Sequence, residues 1–362
     1  MATYRELDTY LQYEQPTKYI VNTEDYSDEY STPVLTAGKT FILGYTNEIE
    51  GIFQASQEPV IIFDDFTSSI QYVNFDFKVK SSAMKILHKI NGEDNLKYLF
   101  YAMKCLEFTP FSHKRLWISE YSKLKIQHRS SQEQNKIASE LNNIEQGIKV
   151  KQEQLKALDE LIQSRFTEMF GQRLLSARML LSEIATFTIG LTYKPENVSE
   201  KGTIVLRSGN IQNNELALND DIVRVANIKI PTEKFVKNQD ILMCSRNGSA
   251  KLVGKSCLIC NPTEQMAFGA FMTVIRTSYP YFLQSFFTSQ FFKSQLTDVS
   301  TASVKQITSK MLKNYLVIKP RAEEERQFAE FVQKVERAKE IVKIQIKDLQ
   351  ELLALKMDEY FK

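Results

Sequence analysis

One long stretch of helix-forming residues occurs twice in this chain, at residues 132–170 and again at residues 323–361. The two copies align without a gap, and neither contains proline. Only Gly147 interrupts the good helix formers. Identical matched pairs include Glu133 and Glu324, Ala138 and Ala329, Glu145 and Glu336, and Phe170 and Phe361. A gapless match of this length predicts an internal duplication of one long helix.

Both copies carry an apolar seam whose steps alternate mainly between four and three residues. This spacing of about 3.5 residues is typical of a coiled coil rather than of a lone surface helix. Helices of about 40 residues are about 60 Å long, and two with similar seams are expected to pack on each other. The alternative is two unrelated amphipathic helices, each covering its own domain. The seam residues are Ile137, Leu141, Ile144, Ile148, Leu155, Leu158, Ile162 and Met169, then Phe328, Val332, Val335, Val342, Ile346, Leu349, Leu353 and Tyr360.

The remaining residues predict two globular blocks of mixed α/β character, so that the fold class is α+β. The expected boundaries are a first block at residues 1–129, a central helix at 130–171, a second block at 172–320 and a C-terminal helix at 321–362. Short β-rich runs separated by turn residues, such as residues 72–79, dominate both blocks. One helix is expected in each block, near residues 93–106 in the first and at residues 281–296 in the second. The blocks share this plan but differ in sequence, which indicates two domains of one kind with different ligands.

Composition excludes several classes of protein. The formal net charge is +2, so any affinity for nucleic acid must come from local patches rather than from a global field. Hydrophobic residues make up 43% of the chain, which is enough for real cores, but no apolar run approaches the roughly 18 residues of a membrane span. The first residues are charged and lack an apolar segment, so we expect no signal peptide and a cytoplasmic protein.

A zinc site is weakly indicated. Cys257 and Cys260 form a C-x-x-C pair, but on a strand residues three apart point to opposite faces. No second cysteine pair or paired histidine completes the ligand set. We expect buried, reduced thiols instead.

Nucleotide and catalytic sites are also disfavoured. Residues 36–40, Thr-Ala-Gly-Lys-Thr, resemble the end of a phosphate-binding loop but lack its first glycine and precede a β-like run. Asp64 and Asp65 follow an apolar strand and could hold Mg²⁺, yet no third acid or lysine lies at nuclease spacing. A solvated turn, or a carboxylate accepting hydrogen bonds from Thr67 and the backbone, is favoured. No nucleophile and base stand at catalytic spacing, which indicates a binding protein.

Basic and polar loop residues are the candidate DNA contacts. Arg and Lys can neutralise phosphates, and Arg, Asn and Gln can read base edges. Each cluster alone is more typical of a solvated loop, but together, in paired domains, they favour double-stranded DNA as the ligand. The candidates of the first block are Lys39, Lys78, Lys80, Ser81, Ser82, Lys85 and Arg115. Those of the second block are Arg207, Asn210, Gln212, Arg246, Asn247, Ser249, Lys251, Lys255, Lys305 and Gln306.

Over nearly its whole length the chain resembles the specificity subunits of type I restriction–modification systems. The resemblance rests on the alternation of two globules with two long helices, and on how each helix begins. Residues 131–137, Ser-Gln-Glu-Gln-Asn-Lys-Ile, and residues 320–328, Pro-Arg-Ala-Glu-Glu-Glu-Arg-Gln-Phe, are similar to the family's P-x-x-x-E-Q-x-x-I. The first lacks the proline, and the second has Glu325 in place of the glutamine. Residues 33–40, 61–67, 78–84 and 237–248 resemble elements of target-recognition domains.

This resemblance implies that each globule is a target-recognition domain that reads one half of a split DNA site. The two helices are then expected to pair antiparallel, to set the unread gap and to dock two modification subunits. Those subunits carry S-adenosylmethionine and methylate adenine, and restriction subunits supply ATP- and Mg²⁺-dependent translocation and cleavage. This chain itself then needs no cofactor and no metal. Because the globules differ, the resemblance also implies an asymmetric site.

Two other functions stay open at this stage. A stand-alone Mg²⁺-dependent nuclease using Asp64 and Asp65 predicts that the purified chain cleaves DNA. A coiled-coil scaffold without DNA contact predicts that Lys80 and Arg246 can be replaced without effect on DNA binding.

Overall fold

Two long helices dominate the computed structural model, at Ser131–Leu175 and Ala322–Phe361. Both predicted helices are confirmed, and the central helix continues past its predicted end at residue 171. The chain divides into two compact units, Met1–Gln152 with Ile344–Lys362, and Glu153–Lys343. Each unit therefore contains part of each long helix. The structure describes residues 3–37, 40–110, 115–218, 222–296 and 305–362.

In the first unit the two long helices pack antiparallel. The Lys356 ammonium lies 3.2 Å from the Glu140 carboxylate, and the Tyr360 hydroxyl donates to the same carboxylate at 2.6 Å. Further along the central helix, Gly147 faces Leu349. Later residues of one helix thus contact earlier residues of the other. The buried seam residues of this part are Ile137, Leu141 and Ile144.

In the second unit the two helices are again antiparallel. The Phe328 ring packs on Phe170 with 5.6 Å between ring centroids, and Arg173 pairs with Glu324 at 2.8 Å. Earlier on the central helix, Asp159 pairs with Lys339. The expectation that these helices pack on each other is therefore confirmed within each unit.

The seam near the end of the central helix differs from the predicted one. Met169 is only partly buried there, and Phe170 is buried in its place. The cause is a second packing partner, since the Phe170 ring also lies 4.9 Å from Phe282 of the globular part. This part of the central helix faces both the other long helix and the globule. Its buried residues therefore recur every four positions, at Ile162, Phe166, Phe170 and Leu174.

The first unit is built on a four-stranded antiparallel core sheet. The globule also contains a three-stranded sheet. Two short helices, Leu96–Lys104 and Leu116–Ser119, complete it. The core sheet has the order Leu11–Glu14, Met84–Lys89, Val60–Asp64, Ile70–Val73. The second sheet has the order Ile42–Thr46, Thr32–Leu35, Lys78–Val79, and Tyr4–Glu6 pairs with Lys125–Gln127.

The second unit repeats this plan with additional two-stranded pairs. Its core sheet has the order Ala185–Ile189, Met272–Thr277, Ile241–Cys244, Ser256–Leu258. Its second sheet has the order Val198–Ser199, Arg224–Val225, Thr203–Leu206, Met266–Phe268. Two-stranded pairs join Met179–Leu180 to Leu316–Val317, Ile211–Gln212 to Glu215–Leu216, and Arg246–Asn247 to Lys305–Gln306. The short helices are Pro280–Thr288, Gln290–Lys293 and Ser309–Asn314.

The two core sheets correspond residue by residue. Asp64 lies opposite Met84 in the first sheet, and Cys244 lies opposite Met272 in the second. In each second sheet one pair of strands is parallel, Thr32–Leu35 with Lys78–Val79 and Thr203–Leu206 with Met266–Phe268. The inference of a shared plan is therefore confirmed by strand order and register.

Some predicted elements are divided in the structure. The β-rich run at residues 72–79 belongs to two strands that lie in different sheets. The helix predicted at residues 281–296 is interrupted at Ser289, whose backbone is extended. Cys260 is exposed, so the expectation of a buried thiol is wrong there. None of the helices within the described residues is long and apolar enough to cross a membrane.

Candidate nucleic-acid interface

The two acidic residues at the end of the first unit's central strand are buried and hydrogen-bonded. Asp64 accepts hydrogen bonds from the Phe66 N–H and the Thr67 hydroxyl. Asp65 accepts from the Trp117 N–H at 2.9 Å and pairs with the Lys85 ammonium at 3.1 Å. These contacts confirm the predicted carboxylate that binds Thr67 and the backbone. Within the described residues, no group of three or more metal-ligating side chains is found.

A cavity of about 380 Å³ in the first unit brings four predicted DNA contacts together. Ser81, Ser82, Lys85 and Arg115 all line it, beside the half-exposed ring of Phe66. Only three of the four can reach a ligand easily, because the Lys85 side chain is 5% exposed and its charge is paired. The exposed members, Ser81, Ser82 and Arg115, offer hydroxyl and guanidinium donors at one surface.

The other lysines predicted for the first unit do not join this cavity. Lys78 is buried, and its ammonium donates to the Glu50 carbonyl and pairs with Glu48, both at 2.7 Å. Burial raises the pKa of Glu48, but hydrogen bonds from Lys78 and two backbone amides outweigh it and bring the pKa to about 2. Lys78 is therefore part of an internal ion pair, which argues against a DNA contact. Lys80 is partly exposed and pairs with Glu24. Lys39 lies outside the described residues.

In the second unit, four predicted residues meet on a two-stranded ribbon. Arg246 lies opposite Gln306, and Asn247 lies opposite Lys305, in antiparallel register. The Arg246 guanidinium carbon is 5.3 Å from the centre of the Phe271 ring. A two-stranded ribbon of this kind is narrow enough to enter the major groove of B-DNA.

A turn from the second sheet is tied to this ribbon. The Asn247 amide donates to the Ser208 hydroxyl at 3.1 Å, which brings the turn after Arg207 next to the ribbon. Asn210 is buried within this turn, accepting from the Arg207 N–H and donating to the Ala217 carbonyl. Asn210 therefore holds the turn, and its amide has no free edge for a base.

The remaining candidates are distributed around the ribbon. Lys255 donates to the Ile211 carbonyl at 2.8 Å and so fastens the neighbouring hairpin. Gln212 is exposed on that hairpin, although its amide contacts the Gly209 carbonyl at 3.3 Å. Ser249 and Lys251 are exposed in the loop that follows the ribbon's first strand.

The two candidate surfaces occupy equivalent positions in the two units. The Asp65 N–H donates to the Ala83 carbonyl, and the Ser245 N–H donates to the Phe271 carbonyl. Asp65 and Ser245 are thus equivalent, and the residues that follow them, Phe66 and Arg246, begin the equivalent loops.

A second pair of contacts extends the correspondence to the next loop. The Leu116 N–H donates to the Asp65 carbonyl at 3.4 Å, and the Ile307 N–H donates to the Ser245 carbonyl at 2.8 Å. The residue before each donor is Arg115 in the first unit and Gln306 in the second. Two clusters that look unrelated in sequence therefore occupy the same place in the two folds.

Sequence reasoning missed two aromatic residues at these surfaces. Among the phenylalanines that the structure describes, Phe66 and Phe271 are the two that are more than half exposed, at 53% and 57%. Phe66 begins one of the loops just described, and Phe271 lies in the turn before the strand Met272–Thr277, where its carbonyl accepts from the Ser245 N–H. In the sequence, the one feature that marks these two residues is their place beside a turn at the end of a strand. Many loop residues share that feature.

The cysteine pair does not form a shared site. Cys257 is fully buried on a core strand, where burial raises the pKa of its thiol to about 12. Cys260 lies beyond the end of that strand and is exposed. The two side chains therefore face different surroundings, as expected for residues three apart.

Comparisons with known proteins place this fold and sequence beside one group. No protein-family model matches the chain. The type I restriction enzyme EcoR124I/EcoR124II specificity subunit of Escherichia coli is 60% identical over 117 residues, 32% of this chain and 29% of that protein. The type I restriction enzyme StySPI specificity subunit of Salmonella potsdam is 27% identical over 130 residues, 34% of this chain and 28% of that protein. The matched regions thus span less than a third of either relative.

Solved structures resemble the whole chain. The S subunit of a type I restriction–modification system from M. genitalium covers 100% of this chain and 96% of its own length, with a TM-score of 0.57 at 15% identity. A chain from a structural study of complex assembly and conformational transition of the type I R-M system gives a TM-score of 0.53 at 14% identity. At these identities the likeness is one of fold. The predicted resemblance to type I specificity subunits is confirmed by both kinds of relative.

Proposed function

We propose that this chain is the DNA-specificity subunit of a type I restriction–modification complex, and that each unit reads one half of a bipartite site. The observation that carries the proposal is a repeated surface with changed chemistry. At one equivalent loop position the first unit has Phe66 and the second has Arg246, and at another they have Arg115 and Gln306. Side chains of such different donor patterns bind different base edges. The two half-sites therefore differ, and the site is asymmetric.

The long helices have two roles in this proposal. They fix the number of unread base pairs between the half-sites, because a packed antiparallel helix pair resists bending more than a loop does. They also dock the modification subunits through apolar side chains that no contact within the chain covers well. These exposed residues are Val150, Leu161, Leu352 and Leu355.

The chemistry belongs to the partner subunits. S-adenosylmethionine and the methyl transfer to adenine are assigned to the modification subunits, and ATP, Mg²⁺ and cleavage to the restriction subunits. On this chain the acidic pair that could have served a nuclease is occupied, since Asp64 and Asp65 both bind internal donors. This supports a binding role for the chain.

An exchange of the first globule tests all parts of the proposal together. Residues 1–129 are replaced by the corresponding globule of a specificity subunit with a different target, and the chain is expressed with its modification subunits. Single-molecule sequencing then locates methylated adenines. We expect one half-site to change while the other half-site and the gap stay the same, and we expect assembly to persist because both helices are retained.

Two results would count against the proposal. A change in both half-sites at once would show that the globules do not read independently. A changed gap with an unchanged second half-site would remove the spacing role from the helices.

A further inference from the structure

We propose that Phe271 is a positioning residue for DNA reading, which holds the guanidinium of Arg246 edge-on to a guanine in the second half-site. This inference rests on the proposed function and goes one step further, to a single base pair and to the two side chains that specify it. Neither the relatives' names nor the sequence pattern singles out Phe271.

The exposure of Phe271 is the first observation. Its ring is 57% exposed, although the adjoining strand Met272–Thr277 begins with four buried residues. An exposed aromatic ring adds nothing to the core and leaves apolar surface in water, which is unfavourable. The ring does lie against a charged group, since the Arg246 guanidinium carbon is 5.3 Å from its centre.

At this distance we infer that the guanidinium stacks with its face on the ring, which leaves its hydrogen-bonding edge free. The five N–H donors of arginine lie in the plane of the group, whereas contact with an aromatic ring uses its face. A stacked arginine can therefore still donate two parallel hydrogen bonds to O6 and N7 of guanine, the commonest specific arginine contact in the major groove. Stacking also restricts the rotamers of a long side chain, so that less conformational entropy is lost on binding.

The backbone ties the two residues together. The Phe271 carbonyl accepts hydrogen bonds from the Arg246 N–H at 3.1 Å, from the Ser245 N–H at 3.0 Å and from the Ser245 hydroxyl at 3.1 Å. Ser245 is itself buried and bonded to Thr273. These hydrogen bonds fix the backbone that carries the ring and the guanidinium, as is required of two side chains that together read a base.

The first unit does not repeat this pair. Ala83 takes the position of Phe271, and Phe66 takes the position of Arg246. The stacked arginine is therefore a property of the second unit alone, and its effect should be confined to the second half-site.

The test uses the complete chain assembled with its modification subunits. Binding is measured to duplexes in which each base pair of the recognised site is replaced in turn, for Arg246→Ala, Phe271→Ala and the double variant. We expect Arg246→Ala to lose discrimination at one G·C pair of the second half-site by roughly tenfold or more. Phe271→Ala should lose part of the discrimination at the same pair, and the double variant should be no worse than Arg246→Ala.

Two further substitutions separate positioning from general packing. Phe271→Trp keeps a stacking surface and should restore discrimination, whereas Phe271→Leu keeps apolar bulk only and should behave like Phe271→Ala. Preference at the first half-site serves as the internal control for folding and assembly. The inference is overturned if Phe271→Leu restores discrimination, if Phe271→Ala weakens all sequences equally, or if the two single effects add. Loss of any bipartite preference in the unaltered complex would instead refute the proposed function.

Discussion

Directly beneath the equivalent loops that begin at Phe66 and Arg246, the two units place different polar pairs at one equivalent position. In the first unit the Asp65 carboxylate and the Lys85 ammonium form an ion pair at 3.1 Å, with both side chains less than a tenth exposed. In the second unit the Ser245 and Thr273 hydroxyls bond at 2.8 Å, and both are buried. The same sheet thus tolerates a charged pair or a neutral pair, provided that each partner is satisfied.

A second difference lies where each long helix meets a short globular helix. In the first unit the Gln134 side chain accepts from the Asn95 N–H at 2.8 Å, and Asn95 itself caps the helix Leu96–Lys104. In the second unit the Tyr279 side chain provides no cap for Pro280–Thr288. The Glu325 carboxylate instead accepts from the Tyr281 and Phe282 N–H groups. A missing local cap is thus replaced by a carboxylate from a distant helix.

The largest expected effect comes from breaking the ion pair. Asp65→Ala leaves Lys85 buried without its counter-charge, which typically costs about 3–5 kcal/mol. Urea unfolding followed by tryptophan fluorescence measures this change in the first unit, because Trp117 is the single tryptophan and donates to Asp65. Ser245→Ala is the matched variant at the neutral position, where about 1 kcal/mol is expected and the Trp117 transition should not move.

A double variant keeps this prediction testable if Asp65→Ala does not fold. Asp65→Ala combined with Lys85→Met removes both charges, and we expect most of the lost stability to return. A Trp117 transition that shifts as far for Ser245→Ala as for Asp65→Ala would contradict this account.

The next effect is a pH dependence confined to the second unit. Burial raises the pKa of Glu325 to about 7, against the lowering influence of the two backbone donors. The folded state therefore binds a proton more readily than the unfolded state, so stability falls as pH rises from about 4.5 to about 7. The total is up to about 3 kcal/mol. Glu325→Gln, which copies Gln134, should remove this dependence.

Amide hydrogen exchange measures this effect in the second unit and reports on the first unit in the same experiment. Exchange of the Pro280–Thr288 amides, corrected for intrinsic rates, should speed up between pH 5 and pH 8 in the unaltered chain and stay flat in Glu325→Gln. The amides of Leu96–Lys104 serve as the internal control. A pH response in Glu325→Gln as steep as that of the unaltered chain would contradict the assignment to Glu325.

The repeated parts of the molecule were the predictable ones. The gapless repeat predicted both long helices, because periodicity depends directly on which face is buried. The β-rich runs predicted core strands such as Val60–Asp64 and Ile241–Cys244, but not Leu11–Glu14, Met84–Lys89 or Ala185–Ile189. The ribbon was not predictable, since Arg246–Asn247 and Lys305–Gln306 are two-residue strands far apart in sequence. The burial of Lys78 could not be predicted from the sequence either. Its ion-pair partner, Glu48, lies in the loop after the strand Ile42–Thr46, far from Lys78 in the chain.

The candidate site was predicted in its parts but not in its arrangement. Arg115 and Gln306 were both identified as polar loop residues, yet only the hydrogen bonds to Asp65 and Ser245 reveal that they are equivalent. Exposed aromatic residues such as Phe271 carry no periodic signal, because the turn that presents them is set by tertiary contacts.

Methylation sequencing of two matched point variants tests the central claim most directly. Arg115→Ala and Gln306→Ala alter equivalent positions, one in each unit, and each is expressed with the modification subunits. Each good base contact is worth about 1–3 kcal/mol of discrimination, so relaxed methylation should be visible at the affected base pair. We expect Arg115→Ala to relax only one half-site and Gln306→Ala to relax only the other. Relaxation of the same half-site by both variants, or of neither, would contradict the account of two independent readers.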